Sequence, residues 1–253
     1  MNRTITDEAI ILKTYDIGEA DRFCILLTKD HGRLAARANG VRRMTSRRSG
    51  SLLALERSDI EIRQRGTEYL ITSATCIESS SDCSADLQAF NAVQQGIDIL
   101  LRLIHEGQSL PTVYTLTADF LRACAAGTAK SALPLYILQL LFQLGTLPSL
   151  THSSVSHRPF GPDDRVVYST HSGGLVLASE DKSGRLIGPD LLPILQSSLT
   201  VSLSTVTDLP DAMADRLQAF VQFLLVAEMG AGLKSPPVAV GRESGSTPTS
   251  YVS

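Results

Sequence analysis

Tryptophan is absent, and aromatic residues make up only 5% of the 253 residues. Stacking on single-stranded bases needs aromatic faces, so it is excluded as the main source of affinity for any nucleic acid. Cysteine is scarce too. Cys24, Cys76, Cys83 and Cys124 form no C-x-x-C pair, which excludes the ordinary zinc-ribbon and thiol-redox motifs. Single cysteines scattered in apolar surroundings read as buried thiols of a reducing compartment. No apolar run reaches the roughly 18 residues that a membrane-spanning helix needs. Met1 to Ile10 is polar and acidic, without the apolar core of a secretion signal. The expectation is a cytoplasmic protein that does not engage a membrane.

Catalytic motifs are missing as well. There is no Gly-Lys-Ser/Thr phosphate loop, and Asp163-Asp164 is a loop carboxylate pair with no partner placed by the sequence. Ser153, His157 and Asp163 make only a nominal triad. An enzyme is not expected, and neither is a cofactor.

The most telling absence is of acid. No Asp or Glu occurs between Asp30 and Glu56, while Arg33, Arg37, Arg42, Arg43, Arg47 and Arg48 crowd one stretch of a chain with net charge -3. Residues 1–80 hold 13 Lys+Arg against 11 Asp+Glu, leaving 10 against 15 for the rest. Arginine runs are often only solvated faces. Gly40, Ser46, Ser49 and Gly50 make this one a strand followed by a loop. Guanidinium groups stay charged and bind phosphate oxygens bidentately, so a nucleic-acid backbone is the better-matched ligand. Lys13 on a neighbouring strand is a further candidate.

Five short strands are expected within residues 1–80: Glu8 to Tyr15, Arg22 to Thr28, Arg33 to Val41, the alternating stretch around Ile60 and Ile62, and Glu68 to Cys76. Tight turns separate them at Asp16-Ile17-Gly18-Glu19, Asp30-His31-Gly32 and Gly66-Thr67. This fits an OB-fold barrel, and an SH3-like barrel would give nearly the same pattern. Ser79 to Ser84 reads as a polar hinge. Leu87, Phe90, Val93, Ile97, Leu100, Leu101 and Ile104 then mark one face of a helix. Pro111 opens a second helix. Ala132 to Leu144 is apolar nearly all round and reads as a central helix, with Tyr136 and Phe142 in its core. Two strands flank His171-Ser172-Gly173-Gly174. Leu191 to Leu203 is weakly helical, and Asp211 to Met229 strongly so. The fold class is α+β: an OB-fold barrel (1–80), an α-helical domain (81–235) carrying a small β-hairpin insertion at about 151–180, and a tail (236–253) rich in Pro, Gly, Ser and Thr that is expected to be disordered.

Taken in this order, the chain resembles the bacterial recombination mediator family RecO. The opening AIILKTYDIGEADRFCILLTKDHGRLAARANGVRR matches at Gly18, Glu19, Asp21, Thr28, Gly32, Gly40, Val41 and Arg42, and the match continues at Ser46 and Leu53. LLFQLGTLPSL (Leu140 to Leu150), Gly173-Gly174-Leu175 and Leu233-Lys234-Ser235 are similar to later family segments. The order and spacing of these matches carry the resemblance, not any single one. It implies a nucleoid-associated protein that binds single- and double-stranded DNA and anneals complementary strands. It also implies that the protein works with RecR, and possibly RecF, to help RecA replace single-stranded-DNA-binding protein (SSB). The SSB C-terminal tail would dock on the helical domain, in a groove pairing a basic residue with apolar walls; Arg102 and Arg122 sit on helices there. Alternatives are an RNA-binding OB-fold accessory module and a non-enzymatic protein adaptor.

One departure stands out. Many family members carry two zinc-binding C-x-x-C pairs around the hairpin, and these positions read Ser153, Ser156, Leu177 and Glu180. Tetrahedral zinc wants four Cys or His ligands. His152, His157 and His171 with Asp163 or Asp164 offer a nominal substitute, but their spacings match no standard finger. No metal is expected, and the hairpin is expected to be held by packing alone.

Overall fold

The structure is a computed structural model and describes residues 2–41, 52–84 and 86–229. Strands β1 (Asn2–Ile17), β2 (Asp21–Thr28), β3 (Gly32–Ala38), β4 (Arg57–Arg65) and β5 (Glu68–Glu78) close into a barrel of order β1-β2-β3-β5-β4. Neighbours run antiparallel except β3 and β5, which are parallel. This is the OB-type barrel expected from the spacing of short strands and turns. β1 is longer than its apolar run, because its polar beginning pairs with β4, Thr4 opposite Arg63.

β1 and β2 are apolar on both faces for a reason. Ile5, Ala9, Ile11, Cys24 and Leu26 fill the barrel, while Ile10, Leu12, Ile25 and Leu27 turn outward into the helical core. A strand buried on both faces reads as a continuous apolar run, which is how Ala9 to Leu12 reads.

A 3-10 turn (Ser81–Ser84) leads to α1 (Leu87–Leu103), α2 (Pro111–Ala125) and α3 (Ala129–Gln143). The expected hinge is instead a packed corner: Cys83 is fully buried and its Sγ lies 3.5 Å from the Leu121 carbonyl oxygen. Asp86 caps α1, accepting from the Ala89 amide at 2.8 Å. α3 is buried almost all round, and its Tyr136 ring stacks on Phe120 of α2 with centroids 4.2 Å apart. Gly96 of α1 sits over this pair; a Cβ there would lie 2.6 Å from the Phe120 ring.

Strands β6 (Val166–Ser169), β7 (Gly174–Leu177) and β8 (Arg185–Leu186) form a small sheet of order β7-β6-β8. Its Tyr168 packs edge-on against Phe223 of α5 (Asp211–Met229). Helix α4 (Leu191–Ser197) is followed by a separate 3-10 turn (Leu203–Thr205), so the expected helix over Leu191 to Leu203 breaks after Ser197.

Three burial expectations are corrected. Cys76 is exposed, because it lies beyond the covered part of β5. Phe142 is 52% exposed at the end of α3, and Leu87 is 74% exposed in the first turn of α1. Each sits on an apolar stripe at a helix end that the described residues leave incompletely covered. Among the described residues, no helix is long and apolar enough to cross a membrane.

Candidate nucleic-acid interface

Arg42, Arg43, Arg47 and Arg48 lie outside the described residues, but both flanks of their segment are defined. On one side Val41 is fully buried in the barrel, and on the other so is Leu52. Gly40 turns the chain with φ of +65°, and its amide donates to Asp21 Oδ1 at 2.7 Å. The other oxygen of Asp21 takes both Nη2 and Nε of Arg37, at 2.6 and 3.1 Å. Arg22 Nη1 donates to the Leu52 carbonyl at 3.1 Å. Further on, the Leu55 amide donates to the Ile11 carbonyl, and the Ile11 amide to the Glu56 carbonyl. The basic segment therefore leaves and rejoins the barrel at two fixed points.

Asp21 and Arg22 escaped the sequence reading as loop anchors. A signal existed: once Thr28 is paired with Gly32, counting back along the hairpin puts Arg22 opposite Ala38, and hence Asp21 beside the Asn39-Gly40 turn.

The three described basic candidates part ways. Arg37 is half-exposed at the base of the loop, in an ion pair with Asp21. Arg33 points to the helices, donating to the Leu101 carbonyl at 2.9 Å with Glu106 3.9 Å away. Lys13 pairs with Asp98 of α1 at 2.6 Å. Lys13 and Arg33 thus join the barrel to the helical domain, as do Tyr114 hydroxyl to Glu8 and Arg122 to Glu78. Gly32 belongs to the same seam: a Cβ there would lie 1.9 Å from the Gln108 carbonyl oxygen.

Burial pushes the Cys24 thiol up to about 12, and raises Cys83 and Cys124 as well; a protonated thiol is a weak nucleophile.

On the helical domain a groove of about 560 Å³ lies between α1, α3 and α5. Its walls carry Gln88, Asn91, Gln95, Gln218 and Leu87, with Lys130 as its cation. Lys130 is already held by Asp211 and Asp215, at 2.8 and 3.0 Å. Arg122 is likewise committed, to Glu78 and Asp119.

Comparison with known families decides what this architecture belongs to. Residues 1–80 match the model for "Recombination protein O N terminal", and residues 84–237 match that for "Recombination protein O C terminal". The chain belongs to the RecO family. It is 32% identical over 169 residues to a DNA repair protein RecO of Nocardioides sp., covering 62% of this chain and 69% of that one. It is 31% identical over 178 residues to a DNA repair protein RecO of Bifidobacterium adolescentis, covering 69% and 72% respectively.

The four positions at which many RecO proteins carry zinc-binding cysteines converge here on one carboxylate. Ser153 Oγ donates to Glu180 Oε2 at 2.6 Å, and the Leu177 amide donates to the same oxygen at 2.9 Å. The Val155 and Ser156 amides donate in turn to Ser153 Oγ, at 3.2 and 3.3 Å. Hydrogen bonds from Ser153, Ser156 and the Leu177 amide hold the Glu180 carboxyl below its usual range. Two hydroxyls, an isobutyl group and one carboxylate are not a zinc donor set, so the residues do not fit the metal. The expectation that packing alone holds the hairpin is corrected: a Ser–Glu clasp joins the turn at Ser153 to the end of β7. Among the described residues, no cluster of three or more His, Cys, Asp or Glu could hold a metal ion. His152 is engaged by Thr151 instead.

Proposed function

We propose that this protein is a non-catalytic DNA-binding mediator of recombinational repair. Its place in the RecO family supports a role in DNA repair and recombination. In the finer reading, it binds the phosphate backbones of single- and double-stranded DNA and anneals complementary strands. With RecR, and with RecF where it takes part, it helps RecA replace SSB. The observation that carries the DNA contact is the acid-free, arginine-rich segment that leaves the barrel at Val41 and returns at Leu52. Both flanks of the segment that carries Arg42, Arg43, Arg47 and Arg48 are fixed in the barrel, and Arg37 stands near the first of them. Backbone contacts of this kind are sequence-independent and steeply salt-dependent. Lys13 and Arg33 support the site by holding the barrel on the helices.

For the SSB tail, the groove around Lys130 is the candidate dock. An acidic tail must displace Asp211 and Asp215 from Lys130, and both are exposed. The test is annealing of complementary strands coated with SSB, in the presence and absence of the protein. Acceleration is the expected result. Failure to anneal DNA with intact binding to RNA would favour an RNA accessory module, and binding to neither would favour a protein adaptor.

A further inference from the structure

The arginines described in the barrel fall into two sets. Arg22, Arg33, Arg37 and Arg57 each pair with a carboxylate. Arg3, Arg63 and Arg65 are exposed and, among the described residues, make no ion pair or side-chain hydrogen bond. All three sit at one end of the β1–β4 pair, where Arg3 opposes Gln64 and Thr4 opposes Arg63. An exposed guanidinium with no ion pair among the described residues contributes little to holding the fold. Two of them on one strand face repel each other.

Register places Arg63 and Arg65 relative to Arg37. Arg37 on β3 is beside Leu70 on β5, and Leu70 is opposite Arg63 on β4. Residues in register on adjacent strands share a face. Arg37, Leu70 and Arg63 therefore form one row across the outer wall of the barrel. With strands ~4.8 Å apart, Arg37 and Arg63 stand about 10 Å apart, and Arg65 lies about 7 Å further along β4. The outer faces of β1 and β2 are covered by helices through Ile10, Leu12, Ile25 and Leu27, whereas Arg37, Arg63 and Arg65 on this wall are exposed among the described residues. Its acids are Asp21, already paired with Arg37, Glu68, which opposes Arg65 without an ion pair among the described residues, and Glu61, which Thr72 holds by a hydrogen bond.

We infer that Arg37, Arg63 and Arg65 line a phosphate-binding path across the outer wall of β3, β5 and β4, so that a strand passing Arg37 crosses Leu70 and lays its phosphates on the β4 tip. This rests on the DNA-binding reading above and names the path of the strand. The ligand is the phosphodiester backbone, read without base specificity. Arg37 must release Asp21 to take part, whereas Arg63 and Arg65 have no internal partner to give up.

The test compares wild type with R63A/R65A and R63K/R65K, titrating a fluorescent single-stranded oligonucleotide across KCl concentrations. For two lost phosphate contacts, the slope of log K against log salt should flatten by about 1.4, and affinity should weaken about tenfold or more near 0.1 M salt. The lysine variant should keep the slope. A second measurement needs no variant: arginine-selective chemical modification of wild type should be blocked at Arg63 and Arg65 by bound oligonucleotide. If wild type binds while R63A/R65A matches it and both arginines stay reactive, this path is overturned and the loop reading stands. If wild type binds no nucleic acid, both fall. Unchanged DNA binding by R63A/R65A with lost binding of an acidic protein would also overturn the path.

Discussion

Ser153 Oγ donates a 2.6 Å hydrogen bond to Glu180 Oε2, joining two turns that many relatives in the family tie together with zinc. Ser153 is buried, and its oxygen also accepts from the Val155 and Ser156 amides. Ser153→Ala should cost on the order of 1–2 kcal/mol, because it strands those donors as well as losing the bond. Chemical denaturation checks this. Chelators should leave the stability of wild type unchanged.

The same clasp predicts a pH dependence. The Glu180 carboxyl is held below its ordinary value in the folded state. Its contribution is therefore complete above the unfolded carboxyl pKa, about 4.3, and is lost as pH falls through the lower folded value. Glu180→Gln should be less stable than wild type near neutrality, and the gap should close as pH drops through that window. Melting temperatures of both proteins between pH 3 and 7 measure it; a constant gap would contradict the assignment.

Among its described partners, Asp21 holds the Arg37 guanidinium and the Gly40 amide. Asp21→Asn keeps an acceptor for the amide but removes the charge facing Arg37. A freed Arg37 should steepen the salt dependence of DNA binding by about 0.7–0.9. Titrations of the oligonucleotide across KCl concentrations read this directly.

Gly32 and Gly96 are among the glycines fixed by close approach. Gly32 has φ of +71° and a backbone neighbour where a Cβ would go. Gly32→Ala should cost more than the ~1–2 kcal/mol of a left-handed side chain alone, and should loosen the seam that carries Arg33. Gly96→Ala drives a methyl into the Phe120 ring, an overpacking cost of about 1–3 kcal/mol. Denaturation curves of both variants check the two figures.

Lys130 offers a test of the SSB-tail reading. Removing its partners with D211A/D215A should raise affinity for an SSB tail peptide, and Lys130→Ala should lower it, in a direct binding titration. Equal affinities in all three proteins would move the dock elsewhere.

The barrel was legible because its turns carry Gly18, Gly32, Gly40 and Gly66 at positive φ, and glycine is the residue that marks such turns. The start of β1 was not, since Asn2 to Glu8 pairs through its backbone while its side chains show no apolar alternation. Helical stripes were legible, but which end of a stripe finds a neighbour is a tertiary fact, as exposed Leu87 and Phe142 show. Within the candidate site, charge density pointed to the loop. The carboxylates that claim Lys13 and Arg33 are Asp98 and Glu106, more than 70 residues away in sequence, so no local pattern reveals them. Arg63 and Arg65 look like ordinary strand charges until the β3–β5 pairing sets them in line with Arg37. Glu180 could be recognised as a lost ligand position, but its role as an acceptor for Ser153 depends on turn geometry.

The central claim is that the segment anchored at Val41 and Leu52 binds nucleic-acid phosphates. The most direct measurement is the salt dependence of DNA affinity for wild type and for R42A/R43A/R47A/R48A. Up to four lost contacts should flatten the slope by as much as about 3 for single strands, with weaker binding at every salt concentration. An unchanged slope in a variant that melts like wild type would contradict the account.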